Sequence, residues 1–359
     1  MEDVVYTARG TPNIALIKYW GKRDEDLILP KNSSISLTLD GNAETVVGKA
    51  FKLYTTTSVV FSHKINADFI YIDGELQDLS NKAVRDRFAI IDILRGIAKT
   101  NAHAMVVSKN SFPTASGLAS SASGIATLAY IASNALDLKL SERELSILAR
   151  RGSGSACRSI MGGIVKWEKG EAKDGSDSFA RQLYTHDYWP ELLDLIAIVS
   201  EDKKKVASRA GMAQTVATSD LYRKRLEIVD GYAAQLEKAI EKKDMDVMAE
   251  IIMKESNSMH AVMLDTSPPI MYLNDISREI INAVHEINTA SGKRICAYTF
   301  DAGPSPHIIT TEHEKERIVD RLLKVEGLQS ILLTKMGKGP EMLQESDALI
   351  DKSFAPMLK

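Results

Sequence analysis

Cysteine is scarce in this chain. Cys157 and Cys296 are the two among 359 residues, too few for a disulfide framework and without the spacing of metal ligands. Each is expected as a buried, reduced thiol. No sign of charge dominates: 45 Lys and Arg stand against 48 Asp and Glu, a net charge of -3. Composition thus offers no footprint for nucleic acid or an anionic membrane, and any anion site must be local. No window approaches the roughly 18 uninterrupted apolar residues of a membrane helix. The opening MEDVVYTARG is acidic and then polar, with no signal-peptide run. Internal repeats and low-complexity tracts are missing too. What remains, 44% hydrophobic and 26% charged, reads as an ordinary globular protein of the cytoplasm, with one large domain or two modest ones.

The stretch that organises the chain is FPTASGLASSASG, Phe112 to Gly124. It follows a strand-like run, Ala104 to Ser108, and leads into an apolar helix from Ile125. A strand, a loop of small residues and a helix form a phosphate grip. Gly117 has backbone freedom closed to other residues, Ala119 leaves the main chain open, and the first amides of the helix lack partners within it. Ser120, Ser121 and Ser123 add hydroxyls for phosphate oxygens or a magnesium ion. The competing reading is a flexible linker, which an apolar strand and an Ala-rich helix would hardly frame. No Gly-Lys-Ser/Thr follows, so it is not a Walker loop, and the glycine spacing excludes a dinucleotide fingerprint.

Other residues stand out in turn. In NIALIKYWGK, Asn13 to Lys22, Lys18 lies inside an apolar run, where an ammonium needs an anion or must snorkel out. Ile35 to Leu39 alternates apolar and hydroxyl residues, the mark of a half-buried strand. Val46–Val47 and Lys52 to Phe61 continue as antiparallel strands, Phe69 to Asp73-Gly74 suggests a hairpin, and a helix is expected over 82–99. Its Asp86, Arg87 and Arg95 read as a solvated face. Ser141 to Glu144 is a capping box for a helix to about Arg151. GSGSACRS then delivers Arg158, whose fork suits a carboxylate or phosphate, or a surface ion pair. Lys203 to Lys205 read as a solvated loop. Two helices are expected over 219–242 and 244–258, stopped by MHAVMLDTSPP, where a lone His260 reads as structural. The strand Ile295 to Phe300 ends at Asp301, before Gly303-Pro304, placed for catalysis or for capping. A second capping box, Thr311 to Glu314, and a strand over 330–334 follow. The whole predicts an α+β fold divided near Trp189 into residues 1–187, with the phosphate loop, and 188–359.

PTASGLASSASG resembles the phosphate loop of the small-molecule kinases related to galactokinase, homoserine kinase and mevalonate kinase. Together with NIALIKYWGK, NSSISLTLD, GSGSACRS, MHAVMLDTSPP and TFDAGP, it resembles above all the diphosphomevalonate decarboxylases. That resemblance implies the superfamily's two-domain kinase fold, with its active site in the interdomain cleft. It implies ATP-dependent decarboxylation of mevalonate 5-diphosphate to isopentenyl diphosphate, through 3-phosphorylation, with magnesium, by a homodimer. In that frame Asp301 acts on the tertiary hydroxyl, Lys18 neutralises phosphate charge and Arg158 holds the carboxylate that is lost, beside Ser155. Tyr19, Lys22, Ser208 and Arg209 would hold the substrate's phosphates. Gly117, Ala119, Ser120, Ser121 and Ser123 would hold those of ATP, with Ser121 on the metal. One departure is Ser305-Pro306-His307, where the family has Asn and a small residue. Other readings are a decarboxylase of mevalonate 3,5-bisphosphate without ATP or of the 5-monophosphate, a kinase alone, and a nonenzymatic sensor.

Overall fold

The computed structural model describes residues 3–112, 120–199 and 206–357, so Gly117, Ala119 and Lys203 to Lys205 lie outside the described residues. In chain order the first half contains β1 (Tyr6–Gly10), β2 (Asn13–Ile17), β3 (Lys22–Asp24), β4 (Leu29–Pro30), β5 (Ser34–Thr38), β6 (Glu44–Val47), β7 (Thr55–Ser62), β8 (Phe69–Ile72) and β9 (Glu75–Leu76). Then come α1 (Lys82–Phe88), α2 (Ile90–Ala98), β10 (His103–Asn110), α3 (Ser120–Ala135), α4 (Glu142–Gly152), a 3-10 turn (Gly154–Ile160), β11 (Ile164–Trp167) and β12 (Ala180–Tyr184). The second half holds β13 (Leu192–Ile198), α5 (Ser208–Thr218), α6 (Tyr222–Glu241), α7 (Met245–Leu264) and α8 (Asp275–Ser291). It ends with β14 (Ala297–Phe300), β15 (Pro306–Thr311), α9 (Lys315–Leu322), β16 (Ser330–Thr334) and β17 (Glu341–Met342).

Three larger sheets and a two-stranded ribbon, β3-β4, organise the strands: β17-β1-β7-β10-β8-β9, then β12-β11-β5-β2, then β14-β15-β13-β16-β6. This is the expected α+β architecture. Two strands leave their own half of the sequence. β6 pairs with β16, and β17 pairs with β1. A cut at 187/188 therefore leaves two strands exchanged, and β6 does not continue into β7 as one antiparallel set.

Packing explains where local reading and structure part. Every residue of β5 is buried, not half of them, because its hydroxyl face meets the 3-10 turn rather than solvent. Ser34 accepts from Arg158, and Thr38 donates to the Met161 carbonyl. α7 does not stop before His260 but runs on to Leu264. The Ser208 turn is the start of a helix. Thr311 makes no cap, and α9 begins only at Lys315 after a 3-10 turn. The capping box at Ser141 and Glu144 does form. α3 packs on the first sheet in one apolar core, while α6, α7 and α8 cover the five-stranded sheet in another. Both cysteines are buried free thiols, Cys157 in the first core and Cys296 in the second.

Candidate active site

Lys18 follows the last residue of β2, and its peptide unit is gripped from the other half of the molecule. Its N–H donates to Glu255 Oε1 at 2.8 Å, and its carbonyl accepts from Asn32 Nδ2 at 2.9 Å and Arg225 Nη2 at 3.3 Å. Glu255 and Arg225 are themselves a fully buried, two-pronged pair at 2.6 and 2.7 Å. Tyr222 then donates to the Trp20 carbonyl at 2.6 Å. With the main chain so held, the Lys18 ammonium reaches Asp301 Oδ1 at 2.7 Å.

Lys18 is 1% exposed along its side chain and Asp301 30%. The pair lines a cleft, with the carboxylate its more exposed member. Burial pushes the Lys18 amine below its ordinary pKa, although Asp301 opposes this. Burial would raise the Asp301 carboxyl, but Lys18, His307 and Arg158 outweigh it and hold the group below the usual carboxylate range. Asp301 is therefore an ionised acceptor at neutral pH.

Arg158 is 3% exposed. Its Nη1 donates to Ser34 Oγ at 2.6 Å, and Nη2 and Nε donate to Asn13 Oδ1 at 3.1 and 3.3 Å. Asn13 is fixed in turn by donating to Ser159 Oγ. Among the described residues no carboxylate lies within ion-pair distance of this guanidinium, so it is not a surface pair. Burial lowers its pKa. A desolvated cation held by neutral groups at the edge of a cleft is prepared for an anion from outside.

That cleft encloses about 300 Å³ and brings together Lys18, Tyr19, Lys22, Ser155 and Arg158 with Ser208, Arg209 and Asp301. Gly154 keeps its wall open, since a Cβ there would stand 2.8 Å from the Tyr19 ring. The Tyr19 hydroxyl has no hydrogen-bond partner among the described residues, and burial pushes its pKa up. Lys22 pairs with Glu25, and Arg209 donates to the Gly152 carbonyl. A second cavity of about 130 Å³ adjoins it, with Thr55, Ile72, Val106 and Ser120 in its wall. Ser121 and Arg87 line both spaces.

Three expectations are corrected here. Ser123 does not face either space: it is fully buried, its hydroxyl 2.6 Å from Thr55 Oγ1 and donating to the Ser120 carbonyl at 3.1 Å. Arg87 does not belong to a solvated face. It is half-buried between the two spaces, has no ion-pair partner among the described residues, and its pKa is lowered by burial and by Arg209. A local signal was available. Asp86 has Lys82 four residues earlier at 2.6 Å and Arg95 has Asp92 three earlier, whereas Arg87 has no acid at either helical spacing. Arg95 is also paired with Asp68 at 2.8 Å and largely buried. His260 packs edge-on to Phe300 with centroids 5.9 Å apart. Burial and the Lys18 charge pull it down to about 4, which fits a structural, neutral ring.

A desolvated guanidinium without an anion of its own, lining one cleft with a Lys–Asp pair, has the make-up of a reactive centre, and the relatives give the class: this is an enzyme, a carboxy-lyase. A model described as the diphosphomevalonate decarboxylase-like N-terminal domain matches residues 10–180, and one for the mevalonate 5-diphosphate decarboxylase C-terminal domain matches 194–329. The chain belongs to the diphosphomevalonate decarboxylase family. It is 39% identical to the diphosphomevalonate decarboxylase of Rattus norvegicus, over 96% of this chain and 94% of that protein. The crystal structure of mevalonate diphosphate decarboxylase from Staphylococcus aureus matches with a TM-score of 0.84 and 38% identity, covering 95% and 98% of the two chains. A structure of MDDEF in complex with MVAPP, AMPPCP and magnesium matches with a TM-score of 0.83 and 38% identity, covering 95% and 99%.

Proposed function

We propose that this enzyme carries out ATP-dependent decarboxylation of mevalonate 5-diphosphate to isopentenyl diphosphate. One observation carries the reading. The Lys18–Asp301 pair and the anion-free Arg158 face one cleft, which adjoins a second cavity at Ser121 and Arg87. Donor chemistry there suits a nucleotide phosphate. Ser120 and Ser121 open α3, whose first amides lie at its positive end, and Arg87 supplies a cation unpaired among the described residues. Among the described residues no cluster of three His, Cys, Asp or Glu could hold a metal. Magnesium would therefore sit on phosphate oxygens with the Ser121 hydroxyl. Bound ATP with magnesium supplies the phosphoryl group that turns a poor leaving hydroxyl into a good one.

The chain's own groups divide the remaining work. Arg158 fixes the substrate carboxylate with its fork. Tyr19, Lys22, Ser208 and Arg209 hold the diphosphate at the other end, with Ser155 beside the carboxylate. Asp301, ionised, accepts the proton of the tertiary hydroxyl, and Lys18 balances the negative charge that develops there. When the C3–O bond breaks, inorganic phosphate would leave with the bonding pair, the C1–C2 bonding electrons close the C2=C3 bond and carbon dioxide leaves. Residues 1–187 and 188–359 act as the two halves of the cleft, with β6 and β17 exchanged between them. A cytoplasmic homodimer completes the proposal, which sedimentation at graded concentration checks. Among the described residues no helix is long and apolar enough to cross a membrane.

The test offers mevalonate 5-diphosphate, mevalonate 5-phosphate and mevalonate 3,5-bisphosphate separately, each with and without ATP. Carbon dioxide should appear only from the diphosphate with ATP and magnesium, with ADP formed one for one. Release from the bisphosphate without nucleotide, and none from the diphosphate with ATP, overturns the proposal.

A further inference from the structure

β13 and β15 cross the apolar core of the second half among Leu195, Ile196, Ile308 and Ile309, yet each buries an ionisable side chain there. Asp194 and His307 are 2% and 5% exposed at their side chains, and His307 Nδ1 donates to Asp194 Oδ2 over 2.6 Å. Asp194 Oδ1 has no partner among the described residues. Such a pair is a poor stabiliser, because well-packed apolar residues of similar volume do as well or better. Its place in the fold is more informative.

Phe300 and Pro306 are cross-strand partners that close the turn bearing Asp301, and His307 is the next residue on, opposite Thr299. The Thr299 hydroxyl donates to the Ala15 carbonyl at 3.3 Å, in the strand that leads to Lys18. The turn is tied at several points. Gly303 N–H donates to the Asp301 carbonyl at 2.8 Å, Ser277 Oγ to the Pro304 carbonyl at 2.7 Å, and Val199 N–H to Ser305 Oγ at 3.2 Å. Ser305 and His307 thus both bond to β13 or its continuation.

We infer that Asp194 and His307 are positioning residues for Asp301. Their bond, with the Ser305–Val199 bond, clasps the β14–β15 turn to β13 and keeps the Asp301 carboxylate aimed at Lys18. This rests on the reading of Asp301 as the group that meets the substrate hydroxyl. The charged and titratable groups around that carboxylate are Lys18 after β2, Arg158 in the 3-10 turn, His260 on α7 and His307 on β15, with Asp194 behind His307. Loss of the clasp changes both its aim and its electrostatic surroundings.

The test replaces the pair by apolar residues of similar summed volume together, Asp194→Ala with His307→Leu, so that no charge is left orphaned, and compares the conservative Asp194→Asn. The double variant should keep its melting temperature and a KM within about two-fold, while kcat falls about 10-fold to 100-fold. Asp194→Asn should recover part of that loss. Asp301 titration, followed by carboxyl-carbon NMR, should move to higher pH in the double variant, a readout independent of turnover. Wild-type kcat together with unchanged Asp301 titration overturns the inference. If Asp301→Asn turns over normally, the catalytic reading fails on its own, and the NMR titration still decides whether the pair positions Asp301.

Discussion

Three arginines are buried to nearly the same degree, Arg150 at 1%, Arg225 at 2% and Arg158 at 3%, and they do different things. Arg225 is neutralised by Glu255 and joins it in holding the Lys18 peptide. Arg150 donates to the carbonyls of Leu27, Gly175 and Ser178 and ties α4 to the loop before β12. Arg158 has only hydroxyl and amide acceptors and faces a cleft. Burial of a charge therefore identifies nothing by itself. A buried cation whose anion is missing, at the edge of an open space, is the one that awaits a ligand.

The sharpest break in this comparison is expected from Arg158→Lys. A point charge cannot replace a two-pronged donor on a carboxylate, so the variant should lose about 100-fold or more in kcat/KM, nearly as much as Arg158→Ala. Its melting temperature should stay level. Turnover unchanged by the swap would reduce Arg158 to a general positive charge. Glu255→Ala should behave in the opposite way. An unpaired Arg225 inside the core costs about 3–5 kcal/mol of stability, and denaturant unfolding reads that loss directly. Activity should fall with it, because the Lys18 peptide loses its anchor.

His260 sharpens the contrast from the side of pH. Its folded pKa, about 4, lies below the ordinary histidine value of 6.5, so the unfolded chain binds the extra proton between those values. Stability from this site is full above pH 6.5, declines as pH falls toward 4 and levels off below, by up to about 3 kcal/mol. Replacing His260 by Gln should flatten that limb of the melting-temperature profile. An unchanged limb would assign the acid sensitivity to other groups. The smallest effect is expected from Ser121→Ala. Loss of one hydrogen bond to a charged phosphate is worth about 1.5–3 kcal/mol, which should appear as a raised KM for ATP. Because Ser123 already bonds within the core, Ser123→Ala should leave that KM within error and cost stability instead.

Local pattern reached much of this. The apolar run around Lys18, the small-residue turn before Arg158 and the strand ending at Asp301 each announced a group out of keeping with its neighbours, and the structure brings all three to one cleft. Arg87 was missed because nothing in its helix shows what lies across from it, although its lack of an acid at helical spacing is visible in the chain. Ser123 was misread for the converse reason. Its neighbours in sequence are phosphate-loop serines, but the helix turns its hydroxyl toward Thr55.

By itself, then, the sequence determined the residue types of the site, the α+β class and most helices and strands, because hydrophobic periodicity and turn chemistry act over a few residues. Tertiary structure alone decided how the buried charges are paired. Glu255 is 237 residues from Lys18, Asp301 is 283 away, and Asp194 is 113 from His307. It also decided that β6 and β17 cross to the sheets of the opposite halves. Pairing and desolvation are properties of the packed interior, where distance in space and not along the chain sets the Coulomb energy.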